Sequence, residues 1–215
     1  RMGGAADEAT ATLSRANAAL AAEAAAAGAA PALRGRVVGA LAAALANDTL
    51  AAEYALLAML ASVNTRNPIP LGHLAVNINA KAAPAQRVAD ALLAVARVLL
   101  PRVAPFELTV ESLNAAPAVP RKDYAADCLV GGPLQLAEET LLLVDETRLV
   151  SGKLGPVGVS NLEALKAVAE EQALEYHFEF HKLPVHTNLK MLIVSDGKSL
   201  VPAAASVPVR PTNFT

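Results

Sequence analysis

Apolar and polar positions along this chain follow two rhythms. From Val37 to Val63 the period is helical, broken by Asn47-Asp48-Thr49, which supplies an N-cap for a second helix. In that helix Leu50, Tyr54, Leu57 and Leu60 recur at close to the helical period and predict an inward stripe. Arg66-Asn67-Pro68-Ile69-Pro70 closes it. Leu74, Val76 and Ile78 then alternate with His73, Ala75 and Asn77, which predicts a strand over 71–79. An apolar helix follows over 86–100, and Phe106, Leu108 and Val110 against Glu107, Thr109 and Glu111 predict a strand over 106–113. Asn161 is expected to cap a helix carrying Leu162, Leu165, Val168 and Ala169. Tyr176, Phe178 and Phe180 alternate with Glu175, His177, Glu179 and His181, and a turn over 182–187 leads into an apolar run at 189–195: a β-hairpin feeding a buried strand. Strands near 72–79, 106–113, 140–145 and 189–195 interleave with helices. That order predicts an α/β fold, a mostly parallel sheet flanked by helices, with a β-hairpin insertion.

One strand brings chemistry into this picture. Leu141-Leu142-Leu143-Val144-Asp145-Glu146 is an apolar run ending in two acids. In phosphate-loop ATPases the first such acid holds Mg²⁺ and the second polarises the attacking water. The reaction also needs G-x-x-x-x-G-K-[ST], whose backbone N–H groups cradle the phosphates. No such string occurs in the chain. Its place after the first strand is taken by Asn79-Ala80-Lys81-Ala82-Ala83-Pro84, which has no glycine to form an anion nest and a proline with no N–H to donate. Lys81 lacks both the preceding Gly and the following Ser or Thr of a phosphate lysine. An ordinary βα connection is the simpler reading of this loop. Asp145 and Glu146 are therefore expected to be a remnant pair, solvated or paired, at the strand end where ligands bind in open α/β sheets. A working Mg²⁺-nucleotide enzyme using both acids remains the alternative.

Composition narrows the classes. The 215 residues suffice for one α/β domain with a core and a tail, and the formal net charge of −2 advertises no nucleic-acid partner. A local patch at Arg121-Lys122 and Lys182 keeps direct DNA binding open. Cys128 is the single cysteine, so a disulfide framework and a Cys-based zinc site are excluded; its default is a small buried hydrophobe. No run of bulky apolar residues is long enough for a membrane span. Residues 1–35 are a low-complexity, Ala-rich linker, 36–201 the folded domain, and 202–215 an extended tail. Arg1 and Phe214-Thr215 make odd ends, which suggests a piece of a longer protein.

Other constellations are weaker. His177, Glu179 and His181 share one strand face, where a metal site is conceivable and a solvated polar face is simpler. His73 and His186 are isolated and read as structural. Ser195 has no G-x-S-x-G elbow, and Asp196-Gly197-Lys198 is the turn after a strand.

Several stretches together carry a resemblance: Asp48-Thr49-Leu50-Ala51-Ala52-Glu53-Tyr54, Pro70-Leu71-Gly72, Lys122-Asp123-Tyr124 with Leu129-Val130 and Leu134-Gln135-Leu136, Val144-Asp145-Glu146-Thr147, and Gly197-Lys198-Ser199-Leu200-Val201-Pro202. Over residues 35–210 the chain resembles the C-terminal half of the MCM-binding protein family. The run from Leu129 to Glu146 also resembles the MCM helicase subunits themselves. The resemblance implies a degenerate AAA+-like (MCM ATPase-like) module that binds MCM helicase subunits and catalyses nothing. It implies a nuclear protein acting in replication and sister-chromatid cohesion, with indirect association with chromatin. Neither a cofactor nor a small-molecule substrate is expected. The family's N-terminal half and final helical region lie outside this sequence.

Overall fold

The computed structural model describes residues 28–212; residues 1–27, most of the expected linker, lie outside the described residues. Helix α1 (Ala29–Ala44) already begins within the segment read as linker, but its residues 30–36 are exposed and Val38 is its first buried side chain. Helix α2 (Thr49–Leu60) starts where Asp48 predicts: Asp48 Oδ1 accepts from the Ala51 N–H at 3.0 Å.

The inward face of α2 is not the expected leucine stripe: of its four residues only Tyr54, half-buried, packs against the core. Ala51, Ala52, Ala55, Ala58 and Met59 are buried, whereas Leu50, Leu57 and Leu60 are exposed. Small side chains let the helix lie close against α1 and the sheet. Both faces are apolar, so periodicity alone could not choose between them.

Strand β1 (Ala75–Asn79), helix α3 (Ala85–Leu99) and strand β2 (Val103–Glu107) follow. The strand expected over 106–113 therefore ends early. Thr109 and Ser112 form a reciprocal capping box that starts helix α4 (Val110–Ala115) instead. Two short strands, β3 (Arg121–Asp123) and β4 (Cys128–Val130), make an antiparallel pair that the sequence reading lacked. Cys128 lies on this edge and is exposed, not a buried hydrophobe.

Strand β5 (Leu141–Asp145) is buried along its whole length. Helix α5 (Pro156–Glu171) opens at Pro156 rather than at Asn161. Asn161 sits inside that helix and is buried. Its Oδ1 accepts from Ala118 N at 2.7 Å, and its Nδ2 donates to the carbonyls of Leu113 and Ala116 at 2.8 and 2.7 Å. It stitches the α4–β3 connection to α5. Strands β6 (Ala173–His177) and β7 (Lys182–His186) form the expected hairpin, but the turn is 178–181 and the stretch 182–186 is its second strand. Strand β8 (Lys190–Ser195) is fully buried.

Strand β9 (Ala205–Pro208) comes from the segment expected as a tail, and it pairs in parallel with β1. Asp48 Oδ2 accepts from Arg210 N at 2.6 Å, tying the end of this segment to the start of α2.

The main sheet has the order β2-β5-β8-β1-β9, and every pairing in it is parallel. One face packs against α1, α2 and α3 through Val76, Ile78, Leu141, Leu143, Leu192 and Val194. The other packs against α5 and the α4–β3 connection through Leu142, Val144, Met191 and Ile193. Alternate residues of each strand thus enter different cores, as a doubly covered parallel sheet requires. A smaller sheet, β4-β3-β6-β7, stands beside it.

Candidate functional site at the carboxyl end of the main sheet

The parallel sheet puts the carboxyl ends of β1, β5 and β8 on one edge, where a ligand of an open α/β sheet would bind. Asp145 ends β5 and Glu146 follows it, held between neighbours: Leu108 N donates to the Asp145 carbonyl at 2.9 Å, and Glu146 N to the Val194 carbonyl at 2.9 Å. Successive strand residues point to opposite faces. The two carboxylates accordingly have different surroundings.

Asp145 is buried, and its Oδ1 accepts from the Thr147 N–H at 2.8 Å and the Thr147 hydroxyl at 2.6 Å. Its Oδ2 lies 3.7 Å from Arg148 Nε, and the same guanidinium lies 3.6 Å from Asp90 of α3. Arg148 thus bridges the strand end to the helix on that face.

Glu146 is also buried. Its Oε1 accepts from the Ser199 hydroxyl at 2.9 Å and from Val201 N at 3.2 Å; Leu200 N lies 3.2 Å from both carboxylate oxygens. Burial pushes the Glu146 carboxyl above its ordinary value, and the bonds from Ser199, Val201 and Leu200 oppose that rise. The segment it holds is reached through a turn at Gly197, whose φ of +135° suits glycine. Glu146 is therefore the anchor of the 199–201 loop. The expectation of acids that are solvated or paired resolves to paired for both. Nothing in the sequence marks Ser199 as the partner, 53 residues away; the turn was legible, the contact was not.

The loop after β1 turns its amides inward. Ala80 N donates to the Ser195 carbonyl at 2.8 Å, Ala83 N to the Ala80 carbonyl at 2.9 Å, and Lys81 N to Asn79 Oδ1 at 3.1 Å. Pro84 precedes α3 as its N-cap with no side-chain capping bond. No residue from Ala80 to Pro84 has a positive φ, so no nest of convergent N–H groups forms. Beside the loop lies an open cleft of about 460 Å³ whose lining includes Asn77, Asn79, Lys81, Lys198 and Ser206. Its polar floor is largely self-satisfied. Asn77 Nδ2 donates to Ser206 Oγ at 3.2 Å, and Ser195 Oγ lies 3.0 Å from both Asn77 Oδ1 and the Gly197 carbonyl. Ser195 is thus a buried strand-end hydroxyl bonded within the sheet.

The remaining candidates separate. His177 is on β6, with its pKa lowered by burial and by Lys182, while Glu179 and His181 are in the turn. The His181 ring stacks on Phe178 at 4.9 Å. Among the described residues no three His, Cys, Asp or Glu side chains come together as a metal site. His73 is half-buried, with Nδ1 unpartnered; His186 is exposed on β7. Of the three cations of the suspected basic patch, two are engaged: Lys122 pairs with Asp127 at 2.5 Å and Lys182 with Glu175 at 2.8 Å, while Arg121 is exposed. No helix among the described residues is long and apolar enough to cross a membrane.

Comparison with known proteins agrees with the motifs. A family model described as mini-chromosome maintenance replisome factor matches residues 6–214. The chain is 36% identical over 181 residues to the mini-chromosome maintenance complex-binding protein of Gallus gallus, covering 83% of this chain and 28% of that protein. It is 35% identical over 181 residues to the Homo sapiens protein of the same name, again 83% of this chain and 28% of the relative. The Arabidopsis thaliana protein of that name is 38% identical over 171 residues, covering 78% of this chain and 29% of the relative. The chain thus spans less than a third of the length of these relatives. With nearly all its residues matched, the chain belongs to the mini-chromosome maintenance replisome factor family.

Proposed function

We propose that this chain is the ATPase-shaped part of a factor that binds MCM helicase subunits and assists their assembly in DNA replication, without turning over nucleotide. The relatives are named for binding the mini-chromosome maintenance complex, and the same partner is assigned to this chain. The all-parallel sheet, numbered along the chain as 5-1-4-3-2, supports a degenerate AAA+-like core. So do an acid pair at the end of its third strand and a βα loop after its first.

The observation that carries the non-catalytic reading is Glu146. A residue that must polarise water needs a free carboxylate facing a reaction centre. Glu146 instead gives its oxygens to Ser199, Leu200 and Val201. The partner acid is engaged by Thr147 and Arg148, and the loop at 79–84 offers no convergent amides. Phosphoryl transfer rests on positioning and charge neutralisation. Lys81 and Lys198 line the cleft at this edge, but neither convergent amides nor a free acid is there to position a phosphate. A nuclear site of action, a role in sister-chromatid cohesion and an indirect association with chromatin belong to the same proposal.

Isothermal titration with Mg-ATP, alongside capture of purified MCM subunits by the same preparation, tests the reading. Retained subunits with no heat of nucleotide binding are expected. Micromolar ATP binding abolished by Asp145→Ala would overturn it and restore the Mg²⁺-nucleotide enzyme.

A further inference from the structure

The chain is poor in aromatic residues, with four Phe, three Tyr and no Trp. Tyr124, Tyr176, Phe178 and Phe180 all lie on the β3–β4 and β6–β7 hairpins or their turns. Two of them face solvent. Tyr124 is 54% exposed and Phe180 is 88% exposed, the most exposed large apolar side chain among the described residues.

An exposed aromatic on a loose turn would mean little. This turn is fixed. Phe178 N donates to the His181 carbonyl at 3.0 Å, and the rings of the same two residues stack with an interplanar angle of 7°. Glu179 N donates to the Tyr124 hydroxyl oxygen at 3.0 Å, so the tip of one hairpin braces the tip of the other. Lys182 and Glu175 pair across the strands at the base. Phe180 is thereby presented on a preorganised support, which limits the ordering entropy lost on binding. Exposed, rigid aromatics are the side chains that serve as anchors at the centre of protein interfaces.

The charge pattern selects the class of partner. Around the tips stand Arg121, Lys122 and Lys182 against Asp123, Asp127, Glu175 and Glu179. Both lysines are paired. A nucleic-acid surface needs surplus cations to displace counterions from phosphate. Arg121 is exposed, but three cations stand against four acids, so the tips carry no such excess. An apolar anchor in a charge-balanced rim fits a protein pocket.

We propose that the paired hairpin tips are a docking probe: Phe180, braced through Tyr124, inserts into an apolar pocket of an MCM subunit. The inference rests on the assignment of MCM subunits as partners. The test measures affinity of the 215-residue chain for each purified MCM subunit, in the wild type and in Phe180→Ala, Phe180→Leu and Tyr124→Phe. Thermal melting of each variant checks its fold. Phe180→Ala is expected to weaken binding by at least about tenfold, the loss typical of an interface anchor. Phe180→Leu keeps most of the affinity, and Tyr124→Phe, which removes the brace and leaves the ring, weakens it by a smaller factor. Wild type and Phe180→Ala binding equally well would overturn the probe and leave the proposed partner standing. Wild type that binds no MCM subunit would overturn both. Loss of single-stranded oligonucleotide binding or of self-association in Phe180→Ala, with MCM affinity unchanged, would overturn it in favour of that other occupant.

Discussion

The two sheets solve opposite problems. In the main sheet β5 and β8 are buried end to end, alternate side chains enter two separate cores, and the acids at the carboxyl edge are bonded to neighbouring segments. In the small sheet β4 is exposed along its length, β7 nearly so, and what fixes the structure is a set of local contacts between turns. The difference teaches where to look for function. At the edge that the fold reserves for a ligand the acid pair is taken up by neighbouring segments, beside an open polar cleft. The insertion, which contributes little to the core, presents the aromatic surface.

The largest expected effect separates the two regions by stability. Leu192 is fully buried on β8, which lies between β5 and β1. Leu192→Ala should destabilise the fold by about 2–5 kcal/mol, the range for leucine truncations in a packed core. Phe180→Ala removes a larger side chain from the small sheet and should change stability by no more than about 0.5 kcal/mol. Urea unfolding of both variants reads the contrast. Equal losses would mean that the hairpin tip is packed, and the comparison would fail.

The main sheet was legible because a doubly covered parallel strand has to be an apolar run, and Leu141–Val144 and Met191–Val194 are such runs. Asp48 announced its cap for an equally local reason. What stayed hidden depends on contacts distant in sequence. Asn161 looks like a cap beside an apolar stripe, yet it satisfies backbone groups between Leu113 and Ala118. β9 reads as a Pro- and Val-rich tail because its strand character comes from pairing with β1, some 130 residues earlier. The β3–β4 pair is too short for alternation to show. At the site, the identity of the acid pair was readable and its occupation was not: Ser199 and Arg148 are ordinary polar residues until folding brings them to the carboxylates.

A smaller effect probes the closed edge itself. Unfolded Glu146 titrates near the ordinary glutamate value of 4.5, and the folded group titrates above it because burial disfavours the charge. Between those two pKa values the folded chain holds a proton that the unfolded chain has released. The group's contribution to stability is therefore complete below 4.5 and is lost as pH rises through the folded pKa. Glutamine cannot titrate. Glu146→Gln should cost about 1–2 kcal/mol at neutral pH, because the carboxylate's hydrogen bonds are replaced by weaker ones. The gap in favour of the wild type should widen as pH falls from 7 towards 4.5. Urea midpoints of both proteins across that range check the slope. A gap that stays flat across that range would place Glu146 in a solvated setting, and the edge would no longer count as closed. A gap that narrows would mean that the bonds from Ser199, Leu200 and Val201 outweigh burial.

The smallest effect is the most discriminating about α2, where periodicity and structure disagree. If the leucine stripe faced the core, Leu60→Ala would cost several kcal/mol. With Leu60 67% exposed, it should cost no more than about 0.5 kcal/mol. The reciprocal change tests the other face. Ala58 is fully buried, and Ala58→Leu must force extra volume between α2 and its neighbours, destabilising by about 1–3 kcal/mol. Chemical denaturation of the pair decides the orientation, since each face predicts the opposite ranking. A harmless Leu60→Ala beside a damaging Ala58→Leu fixes the alanines as the packing surface. α2 then carries an apolar face outward, and the two sheets are no longer the whole contrast: the buried region presents leucines of its own to solvent.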